Sequence, residues 1–349
     1  MMSIKVLVVD DSFFMRTLVS DLLSSDPEIE VIGTAKDGAE ALRKIPETRP
    51  DCITLDLAMP GQDGLTTLKH IMDECPTPVV ILSAHSKKNA DITINCLNAG
   101  AVGFVLKPSG ELSLDIEHVK HKLLEEVKAA SKVNVGAIRS LTVKRPKRIR
   151  RRVTGTNKIV VIGASTGGPQ TLESILWALP IDFSAPIIVV QHMPTRFFTQ
   201  SLAEHLNRNC ELEVRVALDN EMIHPGTVYL IPAGFRVTLY PCVTQDIVIR
   251  LSKEDYDILS PSVDSAMETV AHTYHRNAVG IILTGMGHDG VEGTEAIKAS
   301  GGKTIVQDRS SLIFGMPKAV IDAGYADKVL PASEIASAII DDCRLMIED

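Results

Sequence analysis

"VVIGASTGGPQTL", residues 160–172, sets the architecture around it. Apolar residues run straight into a glycine-rich turn and out into a segment with helical spacing. A strand–turn–helix unit of this kind belongs to a parallel sheet covered by its crossover helices. The same unit recurs downstream. "KIVVIGAS" (158–165), "PIIVVQH" (186–192), "VGIILTGMG" (279–287) and "GGKTIVQD" (301–308) are apolar runs ending in polar groups. Between them, over roughly 211–252, the short runs "GTVYLIP", "RVTLYP" and "QDIVIRL" alternate between Gly, Pro and Asp, which predicts a hairpin insertion.

Upstream, five apolar runs alternate with amphipathic segments: "IKVLVV" (4–9), "IEVIGTA" (29–35), "CITLDL" (52–57), "PVVILSA" (78–84) and "VGFVLK" (102–107). Both halves therefore read as α/β, two doubly wound domains. The first is a five-stranded parallel sheet, and the second is a mostly parallel sheet with an antiparallel hairpin addition. The expected divisions are 1–130, a basic linker at 131–156, and 157–349.

Composition narrows the class. The chain has 349 residues, 45% of them hydrophobic and 23% charged, with a net charge of −8. That length exceeds one small core. No apolar run reaches the 18 residues of a membrane span, and "IKVLVVDD" reads as a strand rather than a secretory leader. A cytoplasmic protein with no membrane insertion is expected. Six cysteines, with no CxxC pair among them, suit buried thiols better than zinc or disulfides. "KRPKRIRRR" (144–152) carries seven positive charges in nine residues. Without interleaved aromatics or a helix-turn-helix, it reads as a solvated hinge, and no nucleic acid is expected.

Chemistry-bearing residues collect at strand ends. In the first half, Asp10 and Asp11 follow the first strand, Asp56 ends the third, Ser83 the fourth and Lys107 the fifth. A doubly wound sheet brings these tips to one edge. Three converging carboxylates, Asp10, Asp11 and Asp56, favour a hard cation such as Mg²⁺. Asp56 is then placed to accept a phosphoryl group, with Lys107 and Ser83 as its partners.

In the second half, the turn at Ser165 admits three readings. A phosphate loop requires Gly-Lys-Ser/Thr, but Gly167-Gly168 is followed by Pro169. A dinucleotide fingerprint requires glycine where Ser165 stands. G-x-S-x-G remains, a turn that lifts a serine hydroxyl above the sheet. Serine needs a base, and His192 and His288 are the two strand-tip candidates. His118, His121, His205, His272 and His275 fall on helical stretches, and His224 precedes a proline turn. His192 is preferred because consecutive strands place it at the same edge as Ser165. Asp289, in the turn after a buried strand, is placed to orient the ring, and the N–H groups around Met286 to stabilise an oxyanion. The order Ser–His–Asp differs from that of α/β-hydrolases, which indicates a convergent triad.

Two resemblances follow from these residues. Residues 1–130 resemble the receiver domain of bacterial two-component response regulators, through "VDDS" (9–12), "DLAMPGQDG" (56–64), "ILSA" (81–84) and "GAVGFVLKP" (100–108). The resemblance implies phosphorylation of Asp56 by a chemotaxis histidine kinase, with Asp11, Asp56 and a carbonyl near Ala58 holding Mg²⁺. Ala58 and Gly103 depart from the longer polar and acidic residues frequent at those places. Residues 157–347 resemble the catalytic domain of the chemotaxis protein-glutamate methylesterases, which also deamidate glutamine. That likeness rests on "VVIGASTGGPQTL", "VQHMPTRFFTQSLAEHLN", "VYLIPAG", "SPSVDSAM", "ILTGMGHDG" and "VQDRSSLIFGMPKAVIDAG".

It implies Ser165 as nucleophile, His192 as base and Asp289 as its orienter, with Thr166 and Met286 lining the site and no cofactor there. The implied substrates are γ-glutamyl methyl esters, and selected glutamines, on methyl-accepting chemotaxis receptors. "SPSVDSAM" is read as a helix start capped by Ser262, with no chemistry assigned. The domain order adds the expectation that the unphosphorylated receiver covers the Ser165 cleft. Two other classes remain open: a non-enzymatic response regulator and a small-ester hydrolase.

Overall fold

The computed structural model describes residues 3–59, 63–108, 113–133, 157–242, 246–254 and 261–343. The chain forms two compact units, Met1–Val143 and Lys144–Asp349. The basic run 144–152 lies outside the described residues.

The first unit is a five-stranded sheet in the order β2-β1-β3-β4-β5, with every neighbouring pair parallel. Its strands are β1 (Ile4–Val9), β2 (Ile29–Ala35), β3 (Cys52–Asp56), β4 (Val79–Ser83) and β5 (Gly103–Leu106). Strands β3 and β4 are buried along their whole length, because helices cover both faces and leave no side to alternate toward water. The helices are α1 (Phe13–Ser24), α2 (Gly38–Thr48), α3 (Gly64–Glu74), α4 (Lys87–Asn98) and α5 (Ser113–Ala130). Four of them start at a side-chain cap. Ser12, Asp37, Asp63 and Ser86 accept the N–H groups of Met15, Glu40, Thr66 and Asn89. Each cap satisfies an otherwise orphaned donor and fixes where the strand-to-helix loop ends.

The second unit holds a seven-stranded sheet in the order β15-β14-β13-β6-β7-β10-β8, again parallel at every pairing. Strands β6 (Ile159–Ala164), β7 (Ile187–Gln191), β13 (Ala278–Ile282) and β14 (Lys303–Gln307) are the four expected from the sequence. Strands β8 (Glu213–Val216), β10 (Thr227–Leu230) and β15 (Lys328–Leu330) extend the sheet. The connecting helices are α6 (Gly168–Ala178), α7 (Arg196–Asn209), α8 (Val263–Tyr274), α9 (Val291–Ala299), α10 (Met316–Asp322) and α11 (Ala332–Cys343).

The middle section is only partly the predicted hairpin. β11 (Phe235–Pro241) and β12 (Ile247–Lys253) pair antiparallel, with β9 (Glu221–Met222) added beside β12. β10 instead joins the parallel sheet between β7 and β8. All four residues of β10 are buried, which suits a strand covered on both faces, whereas β11 and β12 keep exposed positions.

Strand β6 lies at the middle of this sheet, between β13 and β7, and carries Ser165 just past its end. Helix α8 packs over it through Val263, Ala266, Met267 and Val270, all fully buried. Gly163 makes that approach possible, since a Cβ there would press into both methyl groups of Val263 and reach within 3.2 Å of Ile282 Cδ1. Overpacking of this kind costs about 1–3 kcal/mol. Gly163→Ala is therefore expected to lower the urea midpoint of the second unit, read through Trp177, the only tryptophan of the chain. An unchanged midpoint would mean that α8 yields freely.

Candidate functional site

At the carboxyl edge of the second sheet, Ser165 stands in a turn closed by the Gly168 N–H donating to the Ser165 carbonyl at 2.8 Å. Gly167 has φ +78° and ψ −3°, the third-position geometry of a type II turn, which glycine adopts without steric cost. Ser165 itself is not among the described non-glycine residues with positive φ. The conformational demand of the turn therefore falls on Gly167 rather than on the serine. Gly163, the first glycine of the G-x-S-x-G pattern, makes room for α8 rather than for the turn.

Neighbouring strands tie Ser165 down. Its N–H donates to the Thr284 carbonyl at 3.0 Å. Gln191, buried at the end of β7, donates from Nε2 to the carbonyls of Ser165 (2.9 Å) and His192 (3.1 Å). The His192 N–H donates to the Ala164 carbonyl at 3.0 Å. One side-chain amide thus braces the serine and histidine turns together. Gly285 adjoins the serine so closely that a Cβ on it would lie 2.8 Å from Ser165 Cβ.

His192 Nε2 lies 2.8 Å from Asp289 Oδ2. A carboxylate only accepts, so Nε2 carries the proton and Nδ1 keeps its lone pair. Asp289 is held in turn by α8. The Val263 N–H donates to Oδ2 (2.8 Å), the Asp264 N–H to Oδ1 (2.9 Å), and the Ser262 hydroxyl lies 3.3 Å from Oδ1. Burial pushes the Asp289 carboxyl up. The His192 hydrogen bond and charge, with the Asp264 and Val263 N–H groups, outweigh burial and hold it well below the carboxylate range, at about 2. Ser165 and His192 are joined by no direct hydrogen bond among the described residues; they meet as adjacent strand ends. The N–H groups of Met286 and Gly287, in the β13 loop beside Ser165, are unengaged among the described residues. The Thr166 carbonyl accepts from the Thr284 hydroxyl at 2.9 Å. His288, the rival base, is exposed.

Asp264 has a role that "SPSVDSAM" concealed. Its Oδ1 accepts from the N–H groups of Gly290 (2.9 Å) and Gly293 (2.7 Å) at the start of α9. The two carboxylates are exchanged: Asp289 caps α8, and Asp264, from α8, caps α9. Ser262 does cap α8, accepting from the Ser265 N–H at 3.2 Å, but it also touches Asp289. The spacing of Ser262 and Asp264 before an apolar run signals a helix start; only the fold discloses which loop they hold.

At the corresponding edge of the first sheet, ligand oxygens of Asp10, Asp11 and Asp56 lie within 4.8 Å of one another. Asp10 and Asp56 are buried, and Asp11 is exposed. Lys107 Nζ reaches Asp10 Oδ2 at 2.6 Å and Asp56 Oδ1 at 2.9 Å. Burial raises the pKa of Asp10, and the Lys107 bond offsets only part of that. Burial lowers that of Lys107, but the two carboxylates outweigh it and keep the ammonium charged. The Lys107 N–H also donates to the Ser83 carbonyl at 2.8 Å, and the Thr93 hydroxyl lies 2.9 Å from Ser83 Oγ. Three carboxylates against one lysine leave excess negative charge on an all-oxygen donor set, which fits a hard divalent cation. Ala58, beside Asp56, is exposed.

Fold and sites together define a receiver-type α/β unit joined to a hydrolase-type α/β unit. The response regulator receiver domain family matches residues 6–117, and the CheB methylesterase family matches residues 160–339. A relative from Thermotoga maritima, named protein-glutamate methylesterase/protein-glutamine glutaminase, is 44% identical over 343 residues, covering 97% of this chain and 98% of its own. One of the same name from Archaeoglobus fulgidus is 43% identical over 341 residues, covering 96% and 97%. The crystal structure of the Thermotoga maritima CheB methylesterase catalytic domain aligns with TM-score 0.51 at 45% identity, covering 53% of this chain and 97% of that one. The chain belongs to the CheB protein-glutamate methylesterase/protein-glutamine glutaminase family.

The carboxylate exchange makes a pH prediction. Burial is the largest influence on Asp264 and, with the neighbouring Asp289 charge, it outweighs the Gly293 N–H and raises the pKa from 3.8 to about 6. An acid whose pKa rises on folding costs stability as it ionises, here as pH climbs from about 4 through about 6. Asp264→Asn keeps an acceptor for both glycine N–H groups and removes that charge. It is expected to be more stable than the parent by about 1–2 kcal/mol above pH 7, with the gain fading toward pH 4. Urea titrations at several pH values check this; a constant difference would show that ionisation of Asp264 is not involved.

Proposed function

We propose that the second unit hydrolyses γ-glutamyl methyl esters, and deamidates selected glutamines, on methyl-accepting chemotaxis receptors. The observation that supports this best is the His192–Asp289 bond beside the Ser165 turn. Ser165 Oγ attacks the side-chain carbonyl while His192 Nδ1 takes its proton. The developing oxyanion is met by the N–H of Met286, with Thr166 lining the same wall; such a donor contributes about 2.7–4 kcal/mol to the transition state. His192 returns the proton to the departing methoxide, or to the amide nitrogen when the substrate is glutamine. The base then draws a proton from water, which splits the acyl-serine to leave glutamate, and returns that proton to Ser165 Oγ. Asp289 keeps Nε2 protonated throughout and stabilises the imidazolium between the two transfers.

The first unit is proposed as the control element, with residues 1–130 acting as receiver, 131–156 as linker and 157–349 as hydrolase. Asp56 is the acceptor for a phosphoryl group from the chemotaxis histidine kinase. Asp10, Asp11 and Asp56 would hold Mg²⁺, which when bound neutralises charge on the incoming group. Lys107, already bonded to Asp56, is placed to pair with the added phosphoryl oxygens, and Ser83 to hydrogen-bond them. Phosphorylation then favours the hydrolytically competent state by as much as the two states differ in affinity for that group.

Two variants test the halves separately. Ser165→Ala is expected to reduce methanol release from methylated receptor fragments by at least about 10³-fold, since losing the nucleophile of a triad removes most of its catalysis. Release by the variant at the parent rate would mean that no methanol depends on Ser165 and would overturn its role as nucleophile. Asp56→Asn should retain basal release and lose stimulation by a small-molecule phosphodonor. Continued stimulation would place the phosphoacceptor elsewhere.

A further inference from the structure

Two arginines stand at the carboxyl edge of the second sheet with no carboxylate partner among the described residues. Arg196, the first residue of α7, follows the β7 tip by a short loop containing His192. Its guanidinium carbon lies 4.9 Å from the centroid of the ring of Phe235, the first residue of β11, which follows β10 by a short loop. Arg309 follows the β14 tip, with its guanidinium carbon 5.9 Å from the centroid of the Phe314 ring. Phe314 is bridged to Gly285, the residue packed against Ser165. The arginines thus arise from opposite sides of the strand that carries the serine. Both are exposed.

Nearby charges are otherwise engaged. Arg236 pairs with Glu254 at 2.9 Å, Lys318 pairs with Asp322, and Asp308 accepts from Ser310 N at 2.9 Å. A guanidinium laid over an aromatic face keeps its edge N–H donors outward, in the fork that matches a carboxylate. The ring also restrains a long side chain before any ligand arrives, which reduces the entropy lost on binding.

We propose that Arg196 and Arg309 form a divided cationic rim that selects glutamyl esters lying within an acidic stretch of polypeptide. The inference rests on the methylesterase reading of Ser165. Each turnover of that reaction leaves a carboxylate on the substrate chain, so a segment with several modifiable glutamates grows more acidic as the enzyme works. A rim of arginines with no carboxylate partner among the described residues retains such a segment and delivers its next ester to the serine. Acidic residues on either side of the reacting glutamate then serve as the recognised groups.

The test uses the full chain and two synthetic peptides that carry one central γ-methyl glutamate. In one peptide the flanking residues are glutamates, and in the other they are glutamines. At low salt the parent is expected to favour the acidic peptide in kcat/KM by about five-fold, the scale of two screened charge pairs. In the double variant Arg196→Gln/Arg309→Gln this ratio should fall toward one, through a higher KM for the acidic peptide. Raising the ionic strength should bring the parent ratio down in the same way. A parent without preference, or a double variant that keeps the parent ratio while losing rate on both peptides, overturns the rim. A parent that hydrolyses neither peptide overturns the methylesterase reading instead.

Discussion

The carboxylate of Asp289 is the point through which the proposed hydrolytic site is tied to its fold. It sits on the first N–H groups of α8 and bonds His192 at 2.8 Å. A buried carboxylate without such donors would take up a proton and release the imidazole. The helix N-terminus stabilises the negative charge, and the charge fixes the ring. The helix is itself placed by the missing side chain of Gly163. A strand glycine thereby bears on the tautomer of a histidine two elements away.

The two units solve a similar problem with one architecture. A parallel sheet delivers polar residues to one edge, and pairing register decides which of them meet. In the first unit that edge gathers Asp10, Asp56 and Lys107 into a pocket where one lysine bridges two buried carboxylates. In the second, it aligns Ser165 with His192 through the bond from the His192 N–H to the Ala164 carbonyl. The chemistry differs because the side chains at the tips differ, while the scaffold is shared.

Much of this was legible in the sequence, for a physical reason. Buried parallel strands are short apolar runs, and the polar residue that ends each run is seen directly, so Asp56, Lys107, Ser165 and His192 could be placed before any coordinates. Asp289 was reachable because it closes the loop after another such strand. Three features were not. β10 was grouped with the hairpin, since four residues cannot show whether a strand is covered on one face or two. Gln191, which braces both turns, looks like one more strand-end residue until its amide is seen between two carbonyls. Asp264 reads as an ordinary first-turn acid, because the helix it caps lies almost thirty residues away in sequence.

The bond between Asp289 and His192 dictates which nitrogen carries the proton, and nitrogen-15 NMR of the imidazole reports it directly. In the full chain at mildly alkaline pH, His192 is expected as the Nε2–H tautomer, with that preference weakened in Asp289→Asn. A proton on Nδ1 in the parent protein would contradict the mechanism, because it would leave Ser165 without a lone pair to receive its hydrogen.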